Sequence, residues 1–223
     1  MDACGIAVSA IGSPIGKIGI NDEFEPHFEK YKHIVELAHY FETPNIRMFS
    51  FYLPDENLPE KYRDKVMERM EKLVDYAKQE AVTLLHENEK GIYGAMAKEC
   101  RILMDEFYGE NFKCIFDFAN YVQCKQDTKE AYELLKDYIA YIHVKDAVWE
   151  TGEVVLPGTG DGNLRYIFNE LDKKGFCGFL SLEPHLFHFQ GFDALERGET
   201  DDKKETDGVR AYKAAYASLK RIL

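Results

Sequence analysis

Several features that mark other classes of protein are missing from this sequence. No apolar run approaches the roughly 18 residues that a membrane-spanning helix needs. The first 20 residues carry Lys17 as their one base, with no basic segment ahead of their apolar residues. We therefore expect no membrane partner and a cytoplasmic location. The five cysteines show no paired spacing, and an odd number in a chain of this size is typical of reduced thiols rather than of a disulfide framework or a zinc cage.

Positive charge is also scarce. The 223 residues include 28 Lys and Arg against 40 Asp and Glu, for a formal net charge of −12. Because such a charge repels nucleic acid phosphates at long range, we expect no nucleic acid partner, and small molecules are favoured. No low-complexity linker divides the chain, and 45% of its residues are hydrophobic. Residues 1–223 are therefore predicted to form one domain around one core.

What the sequence does contain is a repeated pair of elements. A short apolar strand is followed by an amphipathic helix, and this pair occurs six times. Nearly continuous apolar strands are typical of a sheet covered on both faces, and helical crossovers make that sheet parallel. The predicted strands are Gly5 to Ile11, Asn45 to Phe51, Ala81 to Glu87, Phe112 to Phe118, Ala140 to Asp146 and Phe179 to Glu183. The predicted helices are His27 to Phe41, Tyr62 to Ala77, Met96 to Phe107, Ala131 to Ile139, Leu164 to Leu171 and Tyr212 to Leu223.

The number of units predicts an α/β fold of the TIM-barrel type that is incomplete. At about 37 residues a unit, an eight-unit barrel would need roughly 300 residues. We therefore expect six βα units, either as an open six-strand barrel or as an eight-unit barrel that lacks its first two units. Unpaired edges would then lie at Gly5 to Ile11 and at Phe179 to Glu183. Because a second chain could pair with such edges, we expect a homo-oligomer, most simply a dimer.

Four consecutive strands end in side chains that bind metals. Glu87, Asp117 and Glu183 follow or close their strands, and His143 lies near the end of the strand between the last two. The carboxyl ends of parallel barrel strands meet at the functional face. Three carboxylates and one imidazole make a mixed oxygen and nitrogen site, which suits one divalent ion such as Mn²⁺, Mg²⁺, Co²⁺ or Zn²⁺.

At these strand ends the sequence resembles a known family, the xylose isomerase-like TIM barrels of the sugar phosphate isomerase/epimerase superfamily. The resemblance extends over essentially the whole chain. It rests on HEN at 86–88, FDFAN at 116–120, IHVKDA at 142–147, LPGTGDGNL at 156–164 and LSLEPH at 180–185, together with SPIGK at 13–17 and IRMFSFY at 46–52. Since SPIGK normally ends the third strand in that family, the resemblance also implies that the first two βα units are absent.

The resemblance implies a metal-dependent isomerase or epimerase. In the family, the four residues that match Glu87, Asp117, His143 and Glu183 hold one divalent ion. Glu87 and Glu183 would also be the acid/base pair that moves a proton next to a carbonyl, through a metal-bound enediolate. Transfer between opposite faces inverts a centre and gives an epimer. Return of the proton to the neighbouring carbon by the same carboxylate converts an aldose and a ketose into each other.

Further residues at the same rim are predicted to contact the substrate. Lys17 and Arg47 follow or lie in the first two strands and could bind a carboxylate or phosphate, or form salt bridges at the rim. Asn120 stands where ketose epimerases have a His three residues after the metal-binding Asp. Substrate identity therefore does not carry over. Lys145 and His185 are the other candidate substrate contacts.

Two further motifs lie near the predicted site. Asp146 is predicted to support the site from behind, by orienting His143 or Lys145. The run GTGDG at 158–162 lacks the lysine of a nucleotide-binding loop and is interpreted as a tight turn. The acidic segment from Asp193 to Asp207 is interpreted as a solvated loop, with a flap over the site as the alternative.

Other functions stay open at this point. A lyase or dehydratase could use the same intermediate, and the sequence does not separate it from an isomerase. A shortened chain could also be catalytically impaired. Phosphodiester cleavage as in relatives of endonuclease IV is disfavoured, because three-metal chemistry needs more rim histidines than the seven in this chain supply, three of which fall in or near one predicted helix.

Overall fold

A parallel six-stranded sheet forms the centre of the fold. The computed structural model describes residues 4–186 and 207–223, and within these ranges the sheet curls into a half-barrel with the order β1-β2-β3-β4-β5-β8. All five strand pairs are parallel. The predicted incomplete TIM barrel is therefore confirmed. The strands are β1 (Ile11–Ile15), β2 (Asn45–Met48), β3 (Thr83–Glu87), β4 (Phe112–Asp117), β5 (Ile139–Val144) and β8 (Phe179–Leu182).

Helices follow the strands and cover the outside of the sheet. Their buried positions recur at helical spacing; in α1, for example, Tyr31, Val35 and Ala38 face the core. A short antiparallel hairpin of β6 (Asp146–Ala147) and β7 (Val154–Val155) interrupts the series after β5. The helices are α1 (Glu25–Tyr40), α2 (Arg63–Gln79), α3 (Ala97–Phe107), α4 (Phe118–Gln123), α5 (Thr128–Leu135), α6 (Leu164–Lys173) and α7 (Asp207–Ile222), with 3-10 turns at Pro59–Tyr62 and Tyr93–Ala95.

The first predicted strand was misplaced. Residues 6–10 lie outside any strand, and β1 covers Ile11–Ile15 instead. This stretch contains Gly12 and Pro14, which argue against a central strand. Pro14 is compatible with β1 because β1 lies at one edge of the described sheet, where part of the backbone needs no ladder partner. The end of this stretch contacts the sheet: Ala10 packs against a small cluster that includes Tyr141 of β5, and Ser9 Oγ lies 2.7 Å from the Tyr141 hydroxyl.

The sequence patterns also missed helix α4. This helix begins directly after β4, and most of its residues are buried, so it has no polar face to create an amphipathic pattern. The predicted sixth helix begins earlier than expected, at Asp207. Except for Asp207, the acidic segment interpreted as a loop or flap lies outside the described residues.

Long-range contacts fix the loops at the carboxyl ends of the strands. Arg69 on α2 donates hydrogen bonds to the carbonyls of Gly19 (3.3 Å) and Asp22 (2.5 Å), in the loop between β1 and α1. Its guanidinium also lies over the rings of Phe24 and Phe51. The loop between β1 and α1 is therefore positioned by a buried side chain of α2. In the described part of the chain, no helix has the length and apolar character to cross a membrane.

Candidate active site

The four predicted metal ligands meet at the carboxyl ends of their strands. One ligand atom from each of Glu87, Asp117, His143 and Glu183 lies within 4.8 Å of the other three. Glu87 ends β3, Asp117 ends β4 and lies opposite His143 of β5 in the sheet register, and Glu183 follows β8. The parallel topology thus brings together side chains that are up to 96 positions apart in the sequence, as the strand-end argument predicted.

Glu87 and His143 form the most tightly coupled pair. His143 Nδ1 lies 2.9 Å from Glu87 Oε1 and 3.5 Å from Glu183 Oε1. Burial lowers the pKa of His143, but the hydrogen bond and negative charge of Glu87 outweigh it, so this pKa is raised. Burial raises the pKa of Glu87, whereas His143, Arg47 and Lys145 lower it, and the net shift is downward. Glu87 is therefore held as a carboxylate although its side chain is only 3% exposed.

The two carboxylate oxygens of Asp117 have different partners. Oδ1 accepts the backbone N–H of Asn120 at 2.8 Å and so caps helix α4. Oδ2 lies 3.0 Å from Lys145 Nζ. Burial and the nearby charge of Glu87 raise the pKa of Asp117 against the opposing effect of Lys145. Asn88 joins the two ligand-bearing strands, since it donates to the Asp117 carbonyl at 3.1 Å and accepts the Asp117 N–H at 3.0 Å.

Lys145 and Asn120 form a polar bridge beside the ligands. Lys145 Nζ donates to Asn120 Oδ1 at 2.9 Å, and Asn120 Nδ2 donates to the Asn88 carbonyl at 2.7 Å. Burial lowers the pKa of Lys145, but Asp117 and Glu87 raise it more. A charged lysine is therefore held deep in the site.

The two predicted anion-binding residues differ in their surroundings. Arg47 Nη1 lies 3.4 Å from Glu87 Oε2 and 3.6 Å from Glu183 Oε1, between the two predicted acid/base groups. Lys17 pairs with Glu89 at 2.7 Å. Both residues thus make the rim salt bridges that were the alternative interpretation, and Glu89 is a site residue that the sequence patterns missed.

An open cavity of about 270 Å³ lies above the ligands. All five predicted substrate contacts line it, together with Glu87 and Glu183. His185 is the most exposed of them; its Nε2 lies 3.7 Å from Glu183 Oε2. The sequence patterns did not select the remaining lining residues, which are Glu89, Lys90, Gln123 and Val154. The five predicted substrate contacts that line the cavity are Lys17, Arg47, Asn120, Lys145 and His185.

The hydrogen bonds of Asp146 differ from those predicted. Its hydrogen bonds do not run to His143 or Lys145. Oδ1 accepts the N–H groups of Ala147 and Gly162, both at 2.9 Å, and Oδ2 accepts those of Gly158 (2.9 Å) and Gly160 (3.0 Å). The carboxylate therefore organises the glycine-rich turn, because closely spaced N–H groups without another acceptor gather around the nearest anion. The interpretation of this run as a tight turn agrees with that geometry.

The donor set fits a divalent cation. Glu87 Oε2 and Asp117 Oδ2 are buried and accept no well-aligned hydrogen bond among the described residues, although each has a cationic side chain within 3.4 Å. Buried carboxylate oxygens need a cation or donor to offset their desolvation. Arg47 and Lys145 supply part of that charge from one side. The three carboxylates and the imidazole place their ligand atoms within 4.8 Å of one another. These are ligand types that Mn²⁺, Mg²⁺, Co²⁺ and Zn²⁺ accept.

The family of the chain follows from this fold and site. The sequence model of the xylose isomerase-like TIM barrel family matches residues 1–216. The protein belongs to this family, as its motifs predicted. No curated protein sequence matches the chain.

Solved structures show the same fold at low sequence identity. One is described as the probable 3-DHS dehydratase AsbF of Bacillus anthracis; it superposes with a TM-score of 0.74 at 18% identity, over 98% of this chain and 78% of that one. An L-ribulose 3-epimerase gives 0.72 at 17% identity, over 100% and 76%. A xylose isomerase-like TIM barrel protein from Mycobacterium smegmatis, in complex with magnesium, gives 0.68 at 17%, over 99% and 74%. At these identities the similarities show the fold.

Proposed function

We propose that the protein is a divalent-metal-dependent isomerase or epimerase of a sugar or sugar phosphate. The observation that carries the proposal is the cluster of Glu87, Asp117, His143 and Glu183 at four successive strand ends of the main sheet. Membership of a family that contains sugar epimerases is consistent with it. So is the magnesium in one similar structure.

The four clustered residues would hold the ion. When bound, a divalent ion polarises a substrate carbonyl and makes the neighbouring C–H more acidic. Glu183 is suited to take that proton because its side chain is 22% exposed and lines the cavity. Glu87 lines the same cavity from a more buried position.

Two carboxylates at one cavity allow either of two outcomes. If one removes the proton and the other returns a proton to the opposite face, the centre is inverted and the product is an epimer. If Glu183 returns the proton to the neighbouring carbon, the product is the aldose or ketose isomer. Arg47 lies between both carboxylates and pairs with each of them, and its charge lowers the pKa of Glu87.

The remaining cations are suited to an anionic or strongly polarised substrate. Lys17, Arg47, Lys90 and Lys145 all line the cavity. Three of them, Lys17, Arg47 and Lys145, are already close to carboxylates. A phosphate or carboxylate would therefore compete with Glu89 for Lys17. His185 and Asn120 would hydrogen-bond substrate hydroxyls.

Proton exchange in heavy water tests the proposal. The protein with Mn²⁺ is incubated with a panel of ketoses, aldoses and their phosphates, and deuterium incorporation next to the carbonyl is followed by NMR. We expect exchange with at least one substrate. The Glu183→Gln variant should lose about 10²- to 10⁴-fold of the rate, the usual contribution of a general base. Glu133→Gln, at an exposed pair with Lys136, is the matched control.

A dehydratase is the second candidate, and the solved structure with a TM-score of 0.74 favours it. The two functions differ in product, since a dehydratase loses water and gives an unsaturated product. The same NMR spectra distinguish a new vinylic signal from an epimer. Full exchange activity in Glu183→Gln, or exchange without any divalent ion, would contradict the proposed function.

A further inference from the structure

A second cavity adjoins the candidate active site on the same rim. Its volume is about 340 Å³, and Lys90 and Gln123 line both this cavity and the one above the metal ligands. Its walls come from the connections that follow β2 and β3 and from the end of α4. The first cavity, at about 270 Å³, is just below the usual range of about 300–1,000 Å³ for ligand pockets, whereas the two together fall within it.

The lining of the second cavity combines apolar and polar groups. Its apolar wall comes from one stretch of chain between β3 and the first turn of α3. Carboxylate and amide groups complete the lining, and this combination suits a sugar ring, which has apolar C–H faces and hydroxyl edges. The apolar wall consists of Ile92, Tyr93, Ala95 and Met96, and the polar groups include Glu56, Asn57 and Glu99.

Glu99 contributes a largely buried carboxylate to the second cavity. Its side chain lines the cavity and the residue is only 8% exposed. Within the described residues it pairs with no cation, and the hydrogen bond that lowers its pKa comes from its own backbone N–H; burial outweighs this effect and raises the pKa. A hydroxyl donor in the cavity would offset part of the desolvation of this carboxylate.

Lys90 and Gln123 form the boundary between the two cavities. Gln123 Nε2 is held by the carbonyl of Gly152 at 2.9 Å, in the connection between β6 and β7. Lys90 is exposed. Gln123 is therefore fixed, whereas Lys90 is a long side chain at the surface that can turn toward solvent, which would join the two cavities.

We propose that the second cavity is a subsite for a second sugar ring, so that the substrate is a disaccharide or glycoside rather than a free monosaccharide. One ring would occupy the cavity above Glu87 and Glu183, and the linked ring would lie beyond Lys90 and Gln123. The reactivity of the first ring rests on the proposed function. Binding of the linked ring in the second cavity does not depend on that reactivity and can be measured by itself.

Calorimetric affinities in the presence of Mn²⁺ test the subsite without requiring turnover. The probes are two matched pairs, lactulose with fructose and maltose with glucose. We expect the wild-type protein to bind at least one disaccharide about 10- to 100-fold more tightly than its monosaccharide, because the second ring adds its own contacts. Equal affinities within both pairs, or no binding of either disaccharide at millimolar concentration, would overturn the proposal.

Variants assign the preference to the second cavity. Met96→Trp fills the cavity from its exposed rim and should remove the disaccharide preference while leaving monosaccharide affinity unchanged. Leu134→Trp, at an exposed position on α5, is the matched control and should keep the preference. Glu99→Gln should weaken disaccharide binding about tenfold. If Glu99 served only the first turn of α3, this variant would change stability and leave the affinity ratio intact, against the proposal.

The two proposals fail in different ways. A disaccharide preference that Met96→Trp abolishes, without proton exchange in heavy water on either the monosaccharide panel or the two disaccharides, would refute the isomerase function and support the subsite. Proton exchange on free monosaccharides, with a preference that is absent or insensitive to Met96→Trp, would support the isomerase function and refute the subsite. Circular dichroism of each variant checks that it is folded, and the wild-type affinity ratios stand whether or not a variant folds.

Discussion

Replacement of Arg69 by Met should destabilise the protein more than any other single charge removal on α2. Arg69 is 7% exposed, and burial lowers its pKa. It donates to two loop carbonyls and lies over two aromatic rings, with its guanidinium carbon 5.1 Å from the centroid of Phe24 and 5.5 Å from that of Phe51. The loop that it holds carries Lys17 into the candidate active site. The substitution therefore tests how the rim is positioned.

The expected loss follows from these contacts. A hydrogen bond from a charged donor contributes at least about 1.5 kcal/mol. We use this lower value because the loop carbonyls can bind water once the arginine is gone. Each cation–π contact adds about 0.5 kcal/mol. The substitution also removes the desolvation cost of a buried charge, which offsets part of this loss. Met retains the packing of the aliphatic part of the side chain. We expect a net loss of about 2–3 kcal/mol in the free energy of unfolding.

Urea unfolding followed by circular dichroism measures this loss. With a slope of about 2–3 kcal/mol per molar urea, the midpoint should fall by roughly 1 M. Lys78→Met, on the same helix and in an exposed pair with Asp75, removes the same charge and should cost about 0.5 kcal/mol or less. A loss in Arg69→Met no larger than in Lys78→Met would refute the idea that Arg69 fixes the loop.

Three further predictions concern the ion, the glycine-rich turn and pH. Mn²⁺ at 100 times its dissociation constant should stabilise the protein by about 2.7 kcal/mol and raise Tm by about 5–11 °C; Asp117→Asn, which keeps the helix cap, should lose this shift in differential scanning fluorimetry. Asp146→Asn should cost about 2–4 kcal/mol and accelerate hydrogen exchange in the turn, because its amide places N–H donors against backbone N–H groups. His27 accepts the N–H of Gly16 at 2.8 Å, so it must be neutral in the folded protein, and burial lowers its pKa. Since the unfolded chain then binds the extra proton more readily, stability should fall as pH drops below about 6.5, and His27→Gln should flatten that dependence in urea titrations.

Each of these predictions has a matched control. Asp137→Asn, at an exposed pair with Lys174, should keep the full Mn²⁺ shift. Asp161→Asn removes a carboxylate that accepts the Trp149 N–H and should disturb the turn less than Asp146→Asn does. His33→Gln, at an exposed histidine, should leave the pH dependence unchanged. A control that changes as much as its test variant would contradict the corresponding assignment.

Much of the candidate site could be predicted because it depends on local position. Each of Glu87, Asp117, His143 and Glu183 lies at or near the end of a strand that its own hydrophobic pattern reveals. Parallel topology then requires these ends to meet. The same argument predicted that the rim cations would line one cavity. The roles of all these residues in binding or catalysis stay predictions.

Other features depend on partners that are distant in the sequence. Asp146 follows His143, a predicted metal ligand, so closely that a role beside it was the natural interpretation. Its carboxylate instead accepts the N–H groups of the glycine-rich turn. The pairing of Lys17 with Glu89 joins residues 72 positions apart. Strand β1 contains Gly12 and Pro14, and its extended conformation comes from pairing with β2 rather than from its own preference.

The sequence by itself determined the repeated strand-and-helix architecture, its family and the four residues proposed to hold an ion, because hydrophobic period and strand ends are local properties. Only the tertiary structure decided how the rim is held and shaped. The Arg69 contacts, the double use of the Asp117 carboxylate and the second cavity all arise where loops from different units meet. Free energies at such places depend on the distance, burial and competing partners of each group, which a linear pattern does not specify.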